Sequence, residues 1–310
     1  MTTISAQTIL RSRHSQRPDK VLSTLLLRYP RWIHAELMTH RQLSRNAASS
    51  RAIPVAKLIA DVESDPAVPM HWGANQKGMQ ANAETDTKVS NWAFAGMGPK
   101  LANDRAWLQA KNTAVAAAKS FAKAGYHKQI VNRLLEPFAH ITVLASATEW
   151  SNFIALRDHS AAEPHIQILA REIKRELDRT DNINHLLPGM WHLPFRTEEW
   201  GNQRLNGDEY EIALKREIAR SVACCASTSY KTVDGFDMTY DRAIDLHDKL
   251  VGSTPLHASP AEHVAQADRW DPGSWGKEAI KDELGWENPE QHKNFVGFRQ
   301  YRAMLPNECL

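Results

Sequence analysis

Apolar and polar positions follow two periods along this chain. Val21–Leu27 (VLSTLLL) is a short apolar run of strand length. Pro30 then suits the first turn of a helix, where a missing N–H leaves no intrahelical bond unmade. That helix is predicted to reach about Arg41, with Ile33, Leu37 and His40 at i, i+4 and i+7 and Trp32 beside them, one face inward. Residues 42–54 read as an ordered loop ending at Pro54. Ala102–Ala124 is alanine-rich and predicts a helix. Lys128 to about Arg157 is expected to be helical in pieces, broken near Pro137. Pro164–Leu177 carries an amphipathic stripe of Ile166, Leu169, Ile173 and Leu177, with Ala162 just ahead of it. Glu209–Ser229 and Asp237–Leu250 complete the helical set, and a short element follows from residue 294.

Between these elements, residues 65–99, 180–205 and 266–292 lack either period. They are rich in Pro, Gly, Asn and Trp, and read as long loops. Residues 1–20 are polar and are expected to form a loosely attached arm, leaving 21–310 as one domain. No internal repeat is visible. The class expected is α+β, mostly helical with a small mixed or antiparallel sheet.

Composition narrows the function classes. Of 310 residues, 42% are hydrophobic and 24% charged, so global disorder is excluded. Lys and Arg number 38 against 36 Asp and Glu, a net charge of +2, which gives no broad grip on duplex nucleic acid. Three cysteines, Cys224, Cys225 and Cys309, have neither disulfide nor zinc spacing, and no metal site is expected. No run is long enough to span a membrane and the first residues lack a signal-peptide core, so a cytoplasmic protein is expected.

Three groups of residues can carry chemistry. The densest runs from His40-Arg41 through Ser44-Arg45-Asn46 to Ser49-Ser50-Arg51. Guanidinium groups bind phosphate in a bidentate fashion, and hydroxyls complete a cradle. A solvated basic loop paired to surface acids is the alternative. No acid lies between Arg41 and Arg51, which puts the two readings level. The second group joins Arg133 and Pro137 to Asn152-Phe153 and Arg157. Alone, Arg157 would be expected to pair with Asp158 or Glu163. The third is Ser259-Pro260-Ala261-Glu262-His263, which reads as a helix start with Ser259 as N-cap and Glu262 closing a capping box. His257 and His263 do not match the HExxH zinc signature.

Taken together, these groups resemble the flavin-dependent thymidylate synthases. That family carries an RHR triplet, seven residues, then Ser and, two residues on, Arg. Here Thr39-His40-Arg41 is followed by seven residues, Ser49, Ser50 and Arg51. Arg133 with Pro137, and Asn152-Phe153 with Arg157, resemble the family's downstream blocks. His257 to His263 resembles its HETPFEH helix start, and Ala219-Arg220-Ser221-Val222 more weakly its Ala-Arg-Val-Ser stretch. The last two blocks precede RHR in the family and follow it here, as in a circular permutation. The matches cover about half of the chain. Three departures stand out: Thr39 replaces the first Arg of the triplet, Ala47 replaces a Glu, and Ala35-Glu36 replaces an Arg-Gln pair.

The resemblance implies the thymidylate synthase fold in permuted form and a homotetramer with sites between subunits. It implies FAD as cofactor, dUMP as substrate, and methylenetetrahydrofolate and NADPH as co-substrates. His40, Arg41, Asn152 and Ser259 would contact flavin. Ser49, Ser50, Arg51 and Arg133 would bind the nucleotide phosphate, and Arg157 would stabilise the ionised N3 of uracil. No cysteine nucleophile is required. The departures raise a second possibility, hydroxymethylation or action on another pyrimidine such as dCMP. A third reading is a non-catalytic nucleotide or single-strand binder whose ten tryptophans offer stacking platforms. Trp72, Trp92, Trp270 and Trp275 could belong to a folate pocket or to packed loops, and packing is the expected fate of each taken singly.

Overall fold

The computed structural model describes residues 2–201, 206–229, 238–253, 256, 258–271, 285–306 and 308. It is α+β, with eight strands in two sheets. The larger sheet has the order β3-β4-β2-β1-β5. Its strands are β1 (Ser5–His14), β2 (Val21–Pro30), β3 (Ser44–Ala47), β4 (His140–Ala147) and β5 (Ile183–Leu186). β5 runs parallel to β1 and the other pairs are antiparallel, so the sheet is mixed. The smaller, antiparallel sheet is β6 (Trp191–His192), β7 (Ala265–Ala267) and β8 (Phe298–Gln300).

The helices are α1 (His34–Met38), α2 (Val55–Ser64), α3 (Asn103–Lys123), α4 (Lys128–Val131), α5 (Ser151–Arg157), α6 (Pro164–Asp178), α7 (Asp208–Ala226) and α8 (Tyr240–Val251).

Side chains of a strand alternate between faces, and the large sheet uses both. Leu25, Leu27 and Tyr29 of β2 and Ile141, Val143 and Ala145 of β4 pack under Ile166, Leu169 and Ile173 of α6. On the opposite face Leu22 meets Ala265, Ala267, Phe295 and Phe298 around the small sheet. α2, α3 and α4 close a separate core around Leu58, Val115, Val131 and Leu135.

Several expectations are corrected. Ser5–His14, inside the stretch read as a polar arm, is β1, held by β2 on one side and β5 on the other. The helix expected from Pro30 to Arg41 is a 3-10 turn followed by the short α1, and Pro30 itself ends β2. Four residues of the 42–54 loop form β3. The helical pieces between Lys128 and Arg157 are interrupted by β4, which pairs with both β2 and β3. Residues 180–201 contain β5 and β6. Residues 65–99 are loop apart from one 3-10 turn at Trp92–Phe94.

Trp270 and Trp286 of the late loop are packed. Arg17 lies 5.0 Å from the Trp270 ring and 5.9 Å from that of Trp286. Beneath them Asp268 is buried and accepts from His292 Nε2 at 2.9 Å and from Asn288 Nδ2 at 2.9 Å. Gly297 has φ +92°, and a Cβ there would sit 3.1 Å from Trp286, so the turn requires glycine. Trp72 packs edge-on to Trp107 and Trp92 is exposed. Trp275, His257 and Cys309 lie outside the described residues.

One flank of β1 is open. β5 pairs with β1 only from Arg11 onward, and the strand bulges between Thr8 and Leu10. Glu176 of α6 covers part of this flank, its Oε2 accepting from the Thr8 amide at 2.9 Å. The Arg11 guanidinium is spent on the last carbonyls of α6, donating to Leu177 O at 2.8 Å and to Arg179 O.

Candidate functional site

The stretch from Glu36 to Arg51 leaves α1, forms β3 and ends beside α2, and three clusters hang from it. In the first, His40 is buried just past α1. Its Nε2 accepts from Arg157 Nε at 2.8 Å, and its ring meets Phe153 edge-on at 4.9 Å. Arg157 ends α5, and its Nη1 lies 3.3 Å from Glu36 Oε2. The Nη2 group donates to Thr39 Oγ1 at 3.2 Å. Arg157 is therefore tied to Glu36, not to the expected Asp158 or Glu163; Asp158 takes Arg171 at 2.8 Å. Burial and the neighbouring Glu163 raise the Glu36 carboxyl above its ordinary range, outweighing the opposite pull of Arg157. Burial, then Arg157 and Arg45, lower the His40 imidazole.

The second cluster is a cavity of about 380 Å³ where Arg41 and Ser259 meet. Arg45, Glu262, Lys293 and Arg302 share its wall. Ser259 opens a 3-10 turn, Ser259–His263, that packs on β3. The expected helix start is corrected here. Ala258, not Ser259, is the N-cap, no side chain caps the turn, and Glu262 pairs with Arg302 instead of closing a box. Arg45 caps α1, donating to Met38 O at 3.0 Å and His40 O at 2.8 Å.

The third cluster surrounds Glu136. Ser50 Oγ donates to Glu136 Oε1 at 2.6 Å, Arg31 Nη2 lies 3.3 Å from the same oxygen, and Arg133 Nη1 lies 3.6 Å from Oε2. Asn132 Nδ2 holds the loop from below, donating to Ser50 O at 2.7 Å and Ile53 O at 2.9 Å. Ser50 and Arg133 thus share one partner, the Glu136 carboxylate. Arg51 is exposed, and Ser49 is half-buried one residue before Ser50.

The clusters unite His40 with Arg157, Arg41 with Ser259, and Ser50 with Arg133. Asn152 stands exposed near the start of α5 and lines no wall with Arg41. Glu136, Arg31 and Arg302 were not among the candidate residues. Arg133, three residues before Glu136, is its one local partner; Arg31 after β2 and Ser50 after β3 reach it only in the fold.

Outside these clusters, Cys224 and Cys225 are buried on α7, and burial pushes the Cys225 thiol up. Among the described residues no group of three His, Cys, Asp or Glu side chains is placed to hold a metal ion, and no helix is long and apolar enough to cross a membrane.

No family model matches the chain, and no curated protein matches it. Among solved structures it is similar to PolB, a UMP/dUMP methylase from Streptomyces cacaoi. With the complex of 5-Br UMP the identity is 16%, over 59% of this chain and 91% of that one, at a TM-score of 0.44. With the 5-Br dUMP complex the identity is also 16%, over 59% and 92%, at a TM-score of 0.45.

Proposed function

We propose that this chain is a flavin-dependent, thymidylate synthase-like enzyme. It would transfer a one-carbon unit from methylenetetrahydrofolate to C5 of dUMP, with NADPH as reductant. The observation that carries the reading is the shared cavity of Arg41 and Ser259. Two motif blocks far apart in the sequence, and in an order opposite to the family's, line one wall. The donor set fits a flavin dinucleotide: Arg41, Arg45, Lys293 and Arg302 outnumber Glu262 and Glu308 around it, the balance a pyrophosphate needs. When bound, FAD supplies hydride chemistry that side chains lack.

In this reading Arg41 and Ser259 hold the cofactor, with His40 and Asn152 as further contacts. Ser49, Ser50, Arg51 and Arg133 bind the nucleotide phosphate, which must displace or share the hold of Glu136. Of the five N–H groups of Arg157, one on Nη1 has no partner among the described residues and would face the ionised N3 of the base. A homotetramer with sites between subunits belongs to the same proposal. The test is optical. Protein incubated with FAD and desalted retains flavin absorbance, and the Arg41→Ala variant retains less. A colourless protein overturns the reading.

The Glu36–Arg157 pair favours a second possibility. A carboxylate beside the base accepts from an exocyclic amino group and repels an ionised N3, which suits cytosine better than uracil. Comparing turnover of dUMP and dCMP separates the two.

A further inference from the structure

We propose that Arg157 is a positioning residue for His40, holding it as a neutral imidazole with its one proton on Nδ1, and that Glu36 and Thr39 hold Arg157 in place. A guanidinium has donors only. At 2.8 Å the Arg157 Nε–H therefore requires a lone pair on His40 Nε2. The ring proton is left on Nδ1, because the bond made by one nitrogen decides the state of the other. A proton on Nε2 would set N–H against N–H and cation against cation.

The arrangement is held at both ends. Arg157 Nη1 sits 3.3 Å from Glu36 Oε2, and Nη2 donates to Thr39 Oγ1 at 3.2 Å, while the Thr39 hydroxyl itself donates to Glu36 O at 2.7 Å. The His40 ring is wedged against Phe153, and its carbonyl accepts from Arg45 at 2.8 Å. The charged groups acting on His40 are Arg157 from α5 and Arg45 from β3; Glu36, with Glu163 beyond it, stands behind Arg157. Two cations and burial oppose the imidazolium. Among the described residues Nδ1 has no hydrogen-bond partner, so it remains a directed donor one residue before Arg41.

Glu36 and Thr39 are two of the positions where the sequence departs from the family pattern it resembles. Here both are spent on Arg157, which gives those departures one shared consequence. If the proposed flavin and nucleotide site is right, His40 presents it with a fixed N–H that does not ionise near neutral pH.

Histidine ¹⁵N NMR of the full-length protein, free of flavin and nucleotide, tests this, with the His40 signals assigned by their loss in His40→Gln. The expected result is an Nδ1–H tautomer with a protonation midpoint below that of an exposed histidine. In Arg157→Met the midpoint rises by about one pH unit or more and the Nε2–H form grows in. In Glu36→Gln, which loosens Arg157, the Nε2–H form grows in to a smaller extent, a change that a merely structural pair would not produce. An Nε2–H tautomer in the wild type overturns the proposal without any variant, as does an unmoved midpoint in a folded Arg157→Met protein. Should that variant not fold, an unchanged tautomer in Glu36→Gln does the same. No flavin is present, so failure here leaves the flavin-uptake result standing, and the reverse.

Discussion

Glu136 decides how open the Arg/Ser stretch is to an anion. It takes up Ser50, Arg31 and Arg133 together, so the cradle is internally neutralised. Glu136→Gln keeps the shape and removes the charge. It is expected to tighten binding of inorganic phosphate and nucleoside monophosphates several-fold, read by calorimetry, and unchanged affinity would place the phosphate elsewhere. For Arg157, Arg157→Ala is expected to cost at least about 3 kcal/mol in kcat/KM for dUMP, the scale of losing a donor to a developing anion. Turnover that survives the change removes Arg157 from that role. The residue types were legible in the sequence, and so was the junction of Arg41 with Ser259. The partners were not. Glu136 and Glu36 acquire their roles only once β4 and α5 bring distant guanidinium groups beside them, and no spacing along the chain announces that.

Elements were legible where one period ran long, as in α3, α6 and α7, and β2 was legible as an apolar run. β4 was missed although its residues, HITVLASA, alternate polar and apolar at every position but Leu144, because that short alternation was read inside a longer stretch taken as broken helix. β1 was missed because its sequence, SAQTILRSRH, is polar. Its Ser12 belongs to a buried polar row on the face toward the small sheet. Ser12 Oγ meets His192 Nδ1 at 2.7 Å and His192 Nε2 meets Thr24 Oγ1 at 2.9 Å. Thr24 Oγ1 then meets Ser146 Oγ at 2.6 Å, and Ser146 Oγ meets His263 Nδ1 at 2.9 Å. Burial lowers both histidines to about 3. Their contribution to stability is whole above the unfolded value near 6.5 and is lost as pH falls from there toward 3. Each is expected to remove about 1.4 kcal/mol per pH unit in that window. Urea melts at pH 7 and pH 5 measure the loss, and the His192→Gln/His263→Gln double variant should show a shallower slope. An equal slope in that variant would mean the row does not govern acid sensitivity.

At the scale of the molecule, the two sheets are joined through Leu22, Phe295 and Phe298. The Ser259 turn leads directly into β7 of that seam and packs on β3, so the seam bears on the distance between Arg41 and Ser259. Phe298→Ala is expected to cost about 3–5 kcal/mol by urea melt, and to reduce flavin retention even where the protein stays folded. Retention at the wild-type level in a folded variant would show that the cavity wall holds without this packing. The mixed class and the excess of helix over strand followed from the chain's sequence. The second sheet did not, because its strands have only two or three residues each and are assembled from separate loops.

The Glu176 carboxylate over the Thr8 amide has a meaning for behaviour in a crowded solution. A bare strand margin invites an identical margin from another copy, and growth of that kind has no natural end. Here a fixed negative group and a kinked backbone deny an incoming chain its first rung, so this protein carries its own guard against runaway stacking into fibrils.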